Sequence, residues 1–84
     1  MEYKVLVKLY VPEIESSFEM YIPVNKSVSQ VLILMNKVVN DVTIGSYPIK
    51  QNLELLNRRS NIKYTNEQVI RDTDIKNGTE LIML

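Results

Sequence analysis

Near residue 27 the hydrophobic period of this chain switches from two to 3.6, and that switch restricts its fold more than any single motif. Residues 3–11 alternate, with Tyr3, Val5, Val7, Leu9 and Val11 on one side and Lys4, Leu6, Lys8 and Tyr10 on the other. A period of two built largely on β-branched residues describes a strand with one buried face. Pro12 has no N–H for a ladder and ends it. After a polar turn over 12–17 the alternation resumes, with Phe18, Met20, Ile22 and Val24 on one face and Glu19 and Tyr21 on the other. The two runs predict an antiparallel hairpin. From Val28 onward, Val31, Leu32, Met35, Val38, Val39 and Val42 share one arc of a helix, while Gln30, Lys37, Asn40 and Ile33 fall opposite.

Ser27-Val28-Ser29-Gln30 fits a capping box, in which the serine hydroxyl and the glutamine side chain each satisfy a free backbone N–H. The spacing predicts a helix over about 28–40. Its valines are poor helix formers, so packing has to hold it. Ile33 reads as a scattered surface residue. Residues 43–52, with Gly45, Ser46, Pro48 and Asn52, read as a loop. Leu53-Glu54-Leu55-Leu56 reads as a third strand with Leu53 and Leu55 inward, Asn57-Arg58-Arg59-Ser60 as a turn, and Ile62-Lys63-Tyr64 as a brief further strand. Asp72-Thr73-Asp74-Ile75 looks like a single capped turn. Asn77-Gly78 is a tight-turn signal that releases a last strand over Thr79–Leu84. In that strand Leu81 and Met83 point inward, and Glu80, Ile82 and Leu84 outward. One main helix over a mixed sheet of four to five strands is a two-layer α+β solution, and residues 1–84 form one domain.

Composition removes whole classes of chemistry. The 84 residues contain neither cysteine nor histidine. Thiolate catalysis, disulfides, Cys-containing zinc sites and the usual neutral-pH base are therefore unavailable. The serines have no histidine to activate them. The chain reads as not an enzyme, with no cofactor and no metal site. Ten basic and ten acidic residues cancel, so no overall field favours nucleic acid or anionic lipid. Met1-Glu2-Tyr3-Lys4 leads into the first strand without a basic-then-apolar leader, and Val31-Leu32-Ile33-Leu34-Met35 is far short of a bilayer span. A cytoplasmic protein without direct membrane insertion is expected, and Asn25-Lys26-Ser27 and Asn77-Gly78-Thr79 are then chance glycosylation patterns. Asp72 and Asp74 lack the further acidic residue of a calcium loop and read as turn caps. Arg58 and Arg59, with Lys50, Lys63 and the aromatic Tyr64, would be the seed of a nucleic-acid patch. The zero net charge argues against that, and leaves the arginine pair as a docking edge for an acidic protein partner.

The order hairpin, helix, short strands, terminal strand, closing in Asp74-Ile75-Lys76-Asn77-Gly78-Thr79-Glu80-Leu81-Ile82-Met83-Leu84, resembles the ubiquitin-like β-grasp fold. More narrowly it is similar to the YukD/EsaB group of bacterial ubiquitin-like proteins. That resemblance implies a non-catalytic cytoplasmic accessory or regulatory component of type VII secretion in a Gram-positive bacterium. It would sit in the cytoplasm or at the inner face of the membrane through a protein partner, a cytosolic domain of the machinery, with a weak homodimer as a second form. A generic ubiquitin-like adaptor is the alternative. A modifier or sulfur-carrier role would need a free Gly-Gly tail, whereas the only glycines are Gly45 and Gly78. In the strand order the resemblance implies, the sheet face away from the helix carries Leu6, Leu56, Ile82 and Leu84 on neighbouring strands, rimmed by Lys4, Lys8 and Glu80. A contiguous apolar patch of that kind is expected to bind protein, with Arg58 and Arg59 assisting.

Overall fold

The computed structural model describes residues 3–84, so the leaderless reading of Met1 and Glu2 lies outside the described residues. Strand β1 (Lys4–Val11) ends at Pro12 as expected, and a single 3-10 turn over Pro12–Ile14 follows it. Glu15 takes a left-handed backbone (φ 50°), and β2 (Ser16–Pro23) then starts earlier than the polar composition of 12–17 suggests. The two strands pair antiparallel over their full length, Lys4 opposite Pro23 and Val11 opposite Ser16.

Helix α1 (Val28–Val42) opens with the expected capping box. Gln30 N–H donates to Ser27 Oγ (3.3 Å) and Ser27 N–H donates to Gln30 Oε1 (3.0 Å). The helix runs two residues past the predicted end. Its buried arc is also rotated from the predicted one: Val28, Val31, Leu32, Met35 and Val39 are buried, but Val38 and Val42 are 39% and 60% exposed. Asn36, at 2% exposure, takes the place beside them. Its Nδ2 donates to Pro48 O (3.0 Å) and its Oδ1 accepts from Lys50 N–H (2.7 Å). Asn40 Nδ2 donates likewise to Tyr47 O (2.8 Å). These amides tie the 43–52 loop along the helix and draw Tyr47 into the core, where it is fully buried. Burial pushes the Tyr47 phenol above its ordinary pKa, an effect opposed by nearby Lys50 and reinforced by Glu13. Lys50 lies over the Tyr47 ring (4.8 Å) and pairs with Glu13, so the same loop is clamped to the β1–β2 connection.

Strand β3 (Leu55–Asn57) is shorter and later than the predicted 53–56, and β4 (Glu80–Met83) closes the sheet in the order β2-β1-β4-β3. Four strands form. The predicted strand over 62–64 contributes only a single bridge, Lys63 opposite Leu56. Asn77-Gly78 sets the β4 register: Leu6 N–H donates to Asn77 Oδ1 (2.7 Å) and Gly78 N–H donates to Leu6 O (2.8 Å). The turn needs a left-handed residue, and Gly78 supplies it at φ 88°. Beyond it β4 runs parallel to β1, with Lys8 opposite Glu80 and Tyr10 opposite Ile82. The turn expected at 72–75 is a 3-10 turn over Ile70–Asp72 and is capped by Thr73, whose Oγ1 donates to Ile70 O (2.6 Å) and accepts from Ile75 N–H (3.1 Å). The aspartates therefore do not perform the capping assigned to them. The core between sheet and helix joins Val7, Leu9, Ile22, Leu55, Leu81 and Met83 to the buried arc of α1. No described helix is long and apolar enough to cross a membrane.

Candidate functional site

The face of the sheet turned away from α1 is built by the outward residues of all four strands. Its strand registers arrange these residues in rows. One row is Ser17–Tyr10–Ile82–Leu56, and the next is Glu19–Lys8–Glu80. Arg58 joins that second row, because its N–H donates to Glu80 O (2.9 Å). In the third row Leu6 faces Tyr21, with Gly78 on its other side.

The expected patch is therefore divided. Leu56 and Ile82 sit directly opposite one another on β3 and β4. Leu84 continues the face by exchanging two hydrogen bonds with Glu54 (2.9 and 3.0 Å), and it is 54% exposed. Leu6 is set apart from them by the Lys8–Glu80 row and belongs with Tyr21, which is 67% exposed. Leu6, Leu56 and Ile82 are each half-buried.

Two features of this surface escaped the sequence reading. Tyr10 lies beside Ile82, which makes Tyr10–Ile82–Leu56 one apolar strip across three strands. The Arg58 guanidinium then lies 4.5 Å above the Tyr10 ring. Such a stack holds an arginine that is otherwise free to swing and keeps its charge beside the strip. The alternation places Tyr10 outward, but nothing in the sequence ties it to an arginine 48 positions later.

Arg59 is directed elsewhere. The turn at 57–60 folds around Asn57, whose Oδ1 accepts from Arg59 N–H (2.9 Å) and Ser60 N–H (3.2 Å). Arg59 lines a depression of about 300 Å3 with Asp74, Lys76 and Glu80, charges of both signs. Lys50 pairs with Glu13, and Lys63 pairs with Glu54 (2.6 Å), so the suggested basic cluster does not assemble. Tyr64 offers no face for stacking, since it is 5% exposed. Its hydroxyl donates to Asp74 Oδ1 (2.6 Å) and accepts from Asn57 Nδ2 (3.1 Å). Burial and the Asp74 contact push its pKa up to about 12.

A second concavity, of about 650 Å3, runs between α1 and residues 49–53 over Leu32, Ile33, Ile49 and Leu53. Ile33, read as an isolated surface residue, forms one wall of it. Among the described residues no three carboxylates gather as metal ligands.

No family model matches the chain, and no curated protein matches its sequence. Solved structures do match its shape. A chain of the MycP5-free ESX-5 inner membrane complex (State II) superposes with a TM-score of 0.80 at 19% identity, covering 99% of this chain and 21% of that one. The chain thus spans about a fifth of the length of that neighbour. The ubiquitin-like domain of an Arabidopsis thaliana protein superposes with a TM-score of 0.65 at 19% identity, covering 99% of this chain and 78% of that one. A chain of the toluene 4-monooxygenase HD complex gives 0.74 at 12% identity, covering 95% of each. At these identities the likeness speaks to shape alone. One helix on a four-stranded mixed sheet in the order β2-β1-β4-β3 is the ubiquitin-like β-grasp fold.

Proposed function

We propose that this chain is a non-catalytic protein-binding component of a type VII secretion apparatus, acting as an accessory or regulator. The observation that carries this reading is the superposition on a chain of an ESX-5 inner membrane complex over 99% of the present chain. The similarity of the 72–84 segment to the YukD/EsaB group supports it independently. The docking surface is the strip Tyr10–Ile82–Leu56 with Leu84 at its end, and Leu6 lies on the same face beyond the Lys8–Glu80 row. Arg58, held over Tyr10, supplies the charge at its border, and Arg59 lies farther out. A half-buried apolar strip rimmed by fixed charge suits a protein partner, since it combines buried area with electrostatic selectivity. The partner is a cytosolic domain of the machinery, reached in the cytoplasm or at the inner face of the membrane.

The test is a two-dimensional NMR titration of the labelled chain with cytosolic ATPase domains of such an apparatus. Saturable shifts at Tyr10, Leu56, Ile82 and Leu84, abolished by Ile82→Lys together with Leu56→Lys, are expected. A partner that binds the doubly charged variant unchanged would remove this surface. Absence of shifts with every machinery domain would return the chain to the alternative, a ubiquitin-like adaptor unconnected with secretion.

A further inference from the structure

Strand β2 is one edge of the sheet, and its outer side is open. Val24 N–H donates to Tyr3 O, so the residues of β2 bonded to β1 are those in step with Val24, namely Ile22, Met20, Phe18 and Ser16. Ser17, Glu19 and Tyr21 therefore direct their N–H and C=O groups away from β1. Among the described residues no hydrogen bond reaches those main-chain groups. Edges of this kind are ordinarily short, bulged or covered, because unpaired ladder groups recruit another strand. This one is eight residues long and, among the described residues, no strand pairs with its outer side.

An apolar shelf stands directly beside that edge. The Ile33 side of α1 faces residues 49–53, on the route to β3, so the opposite flank overhangs β2. That flank carries Leu34, Val38 and Val42, spaced four apart and all exposed. Below it, Phe18 and Met20 on the inner face of β2 are only partly covered. An extended segment added to β2 would have alternate side chains on the two faces of the sheet. One set would meet Phe18, Met20, Leu34 and Val38. The other would stand in the open-face rows, beside Ser17, Glu19 and Tyr21.

We propose that the β2 edge is a second protein-binding site, which takes an extended partner segment as a fifth strand. The segment carries apolar residues at alternate positions, with a lysine or arginine facing Glu19. The Glu19–Lys8–Glu80–Arg58 row alternates in charge, and a cation outside Glu19 continues it. Two-fold pairing with a second copy has two equally long registers, which place either Glu19 or Tyr21 opposite Glu19 and in neither case a cation. The heterologous segment is therefore the occupant. Main-chain hydrogen bonds supply affinity in such additions and alternate side chains supply selectivity.

The probe is an eight-residue peptide of alternating valine and lysine, titrated into the labelled chain. Saturable shifts are expected at the amides of Ser17, Glu19 and Tyr21 and at the methyls of Leu34 and Val38. Exchange of the Glu19 and Tyr21 amides slows about tenfold with peptide at roughly ten times its Kd. A valine–glutamate peptide of the same length binds more weakly. Glu19→Pro deletes one outward donor without touching the β1 ladder, and it abolishes these shifts. Val38→Lys, on the exposed shelf, weakens them while leaving the edge backbone intact, so a folding defect in the proline variant does not decide the matter. Three results would overturn the proposal. These are no shifts at millimolar peptide, shifts confined to Tyr10, Ile82 and Leu56, and shifts at the edge amides that follow chain concentration without peptide. The last would make a second copy the occupant.

Discussion

The residue that does most to define the shape of this domain is Asn36, a polar side chain sealed on the apolar arc of a helix. Both ends of its amide are used, one on Pro48 O and one on Lys50 N–H. A buried amide is tolerated only when satisfied. Here satisfying it also ties the 48–50 stretch of the loop to α1, beside the Asn40 bond to Tyr47 O. Asn36→Ala is expected to cost about 1–3 kcal/mol, because two loop backbone groups lose their partners along with the packing. Chemical denaturation measures this, and an unchanged midpoint would show that water replaces the amide without cost. Tyr64 makes a second residue-scale prediction. Its phenol is neutral in the folded and unfolded chain below about pH 10, where its contribution to stability is complete. Between about pH 10 and 12 the unfolded phenol ionises while the folded one, buried and donating to Asp74, keeps its proton. Stability therefore falls as pH rises through this window, and the urea midpoint of Tyr64→Phe should fall less steeply there. Equal slopes would place the loss elsewhere, Tyr47 included, since its phenol is shifted in the same direction.

At the scale of elements, the hairpin and the helix start follow from local rules. Ser27→Ala removes the oxygen that accepts from Gln30 N–H and should cost about 1 kcal/mol, read as a lower thermal midpoint with fraying confined to the first turn of α1. Gln30→Ala should cost less, since it removes the Oε1 that accepts from Ser27 N–H and Ser27 Oγ but leaves Ser27 Oγ accepting from the N–H of residue 30. Such elements were legible because their signals lie within four residues of one another or repeat with a fixed period. The Asn77-Gly78 turn was legible too, although its second task, satisfying both main-chain groups of Leu6, joins positions about 70 apart and has no local trace. The failures share that cause. Val38 and Val42 count as core by periodicity, but residues 43–52 fold along the Asn36 side of α1 and bury that arc instead, leaving Val38 and Val42 exposed. Tyr47 and Tyr64 carry no periodic mark, and their burial depends on Asn40, Asn57 and Asp74 reaching them through tertiary structure. The candidate site follows the same division. Alternation put Ile82, Leu56 and Leu84 on the open face, whereas register alone decided that Leu6 is separated from them and that Arg58 reaches Tyr10.

For the whole molecule, the decisive property is that a thin two-layer domain presents one strand to two different environments. Along β4, Leu81 and Met83 are buried beneath α1 while Ile82 faces outward between Tyr10 and Leu56. A domain of this size has only about 5–15 kcal/mol of net stability, so one lost core side chain is a substantial part of it. Met83→Ala should cost about 2–4 kcal/mol through lost transfer energy and the cavity left behind, and Val7→Ala about 1–3 kcal/mol on the facing strand. Ile82→Lys, one residue away, should stay within about 1 kcal/mol, since a lysine stem can lie along the strip with its charge in water. Measured in one denaturant series, the three variants separate fold from function. If Ile82→Lys keeps the wild-type midpoint and loses partner binding, the loss belongs to the surface. If it unfolds with Met83→Ala, the outward strip is a second core, covered by its neighbours. The open face would then not be a docking surface, and the β2 edge with its shelf of Leu34, Val38 and Val42 would remain as the place where another protein attaches.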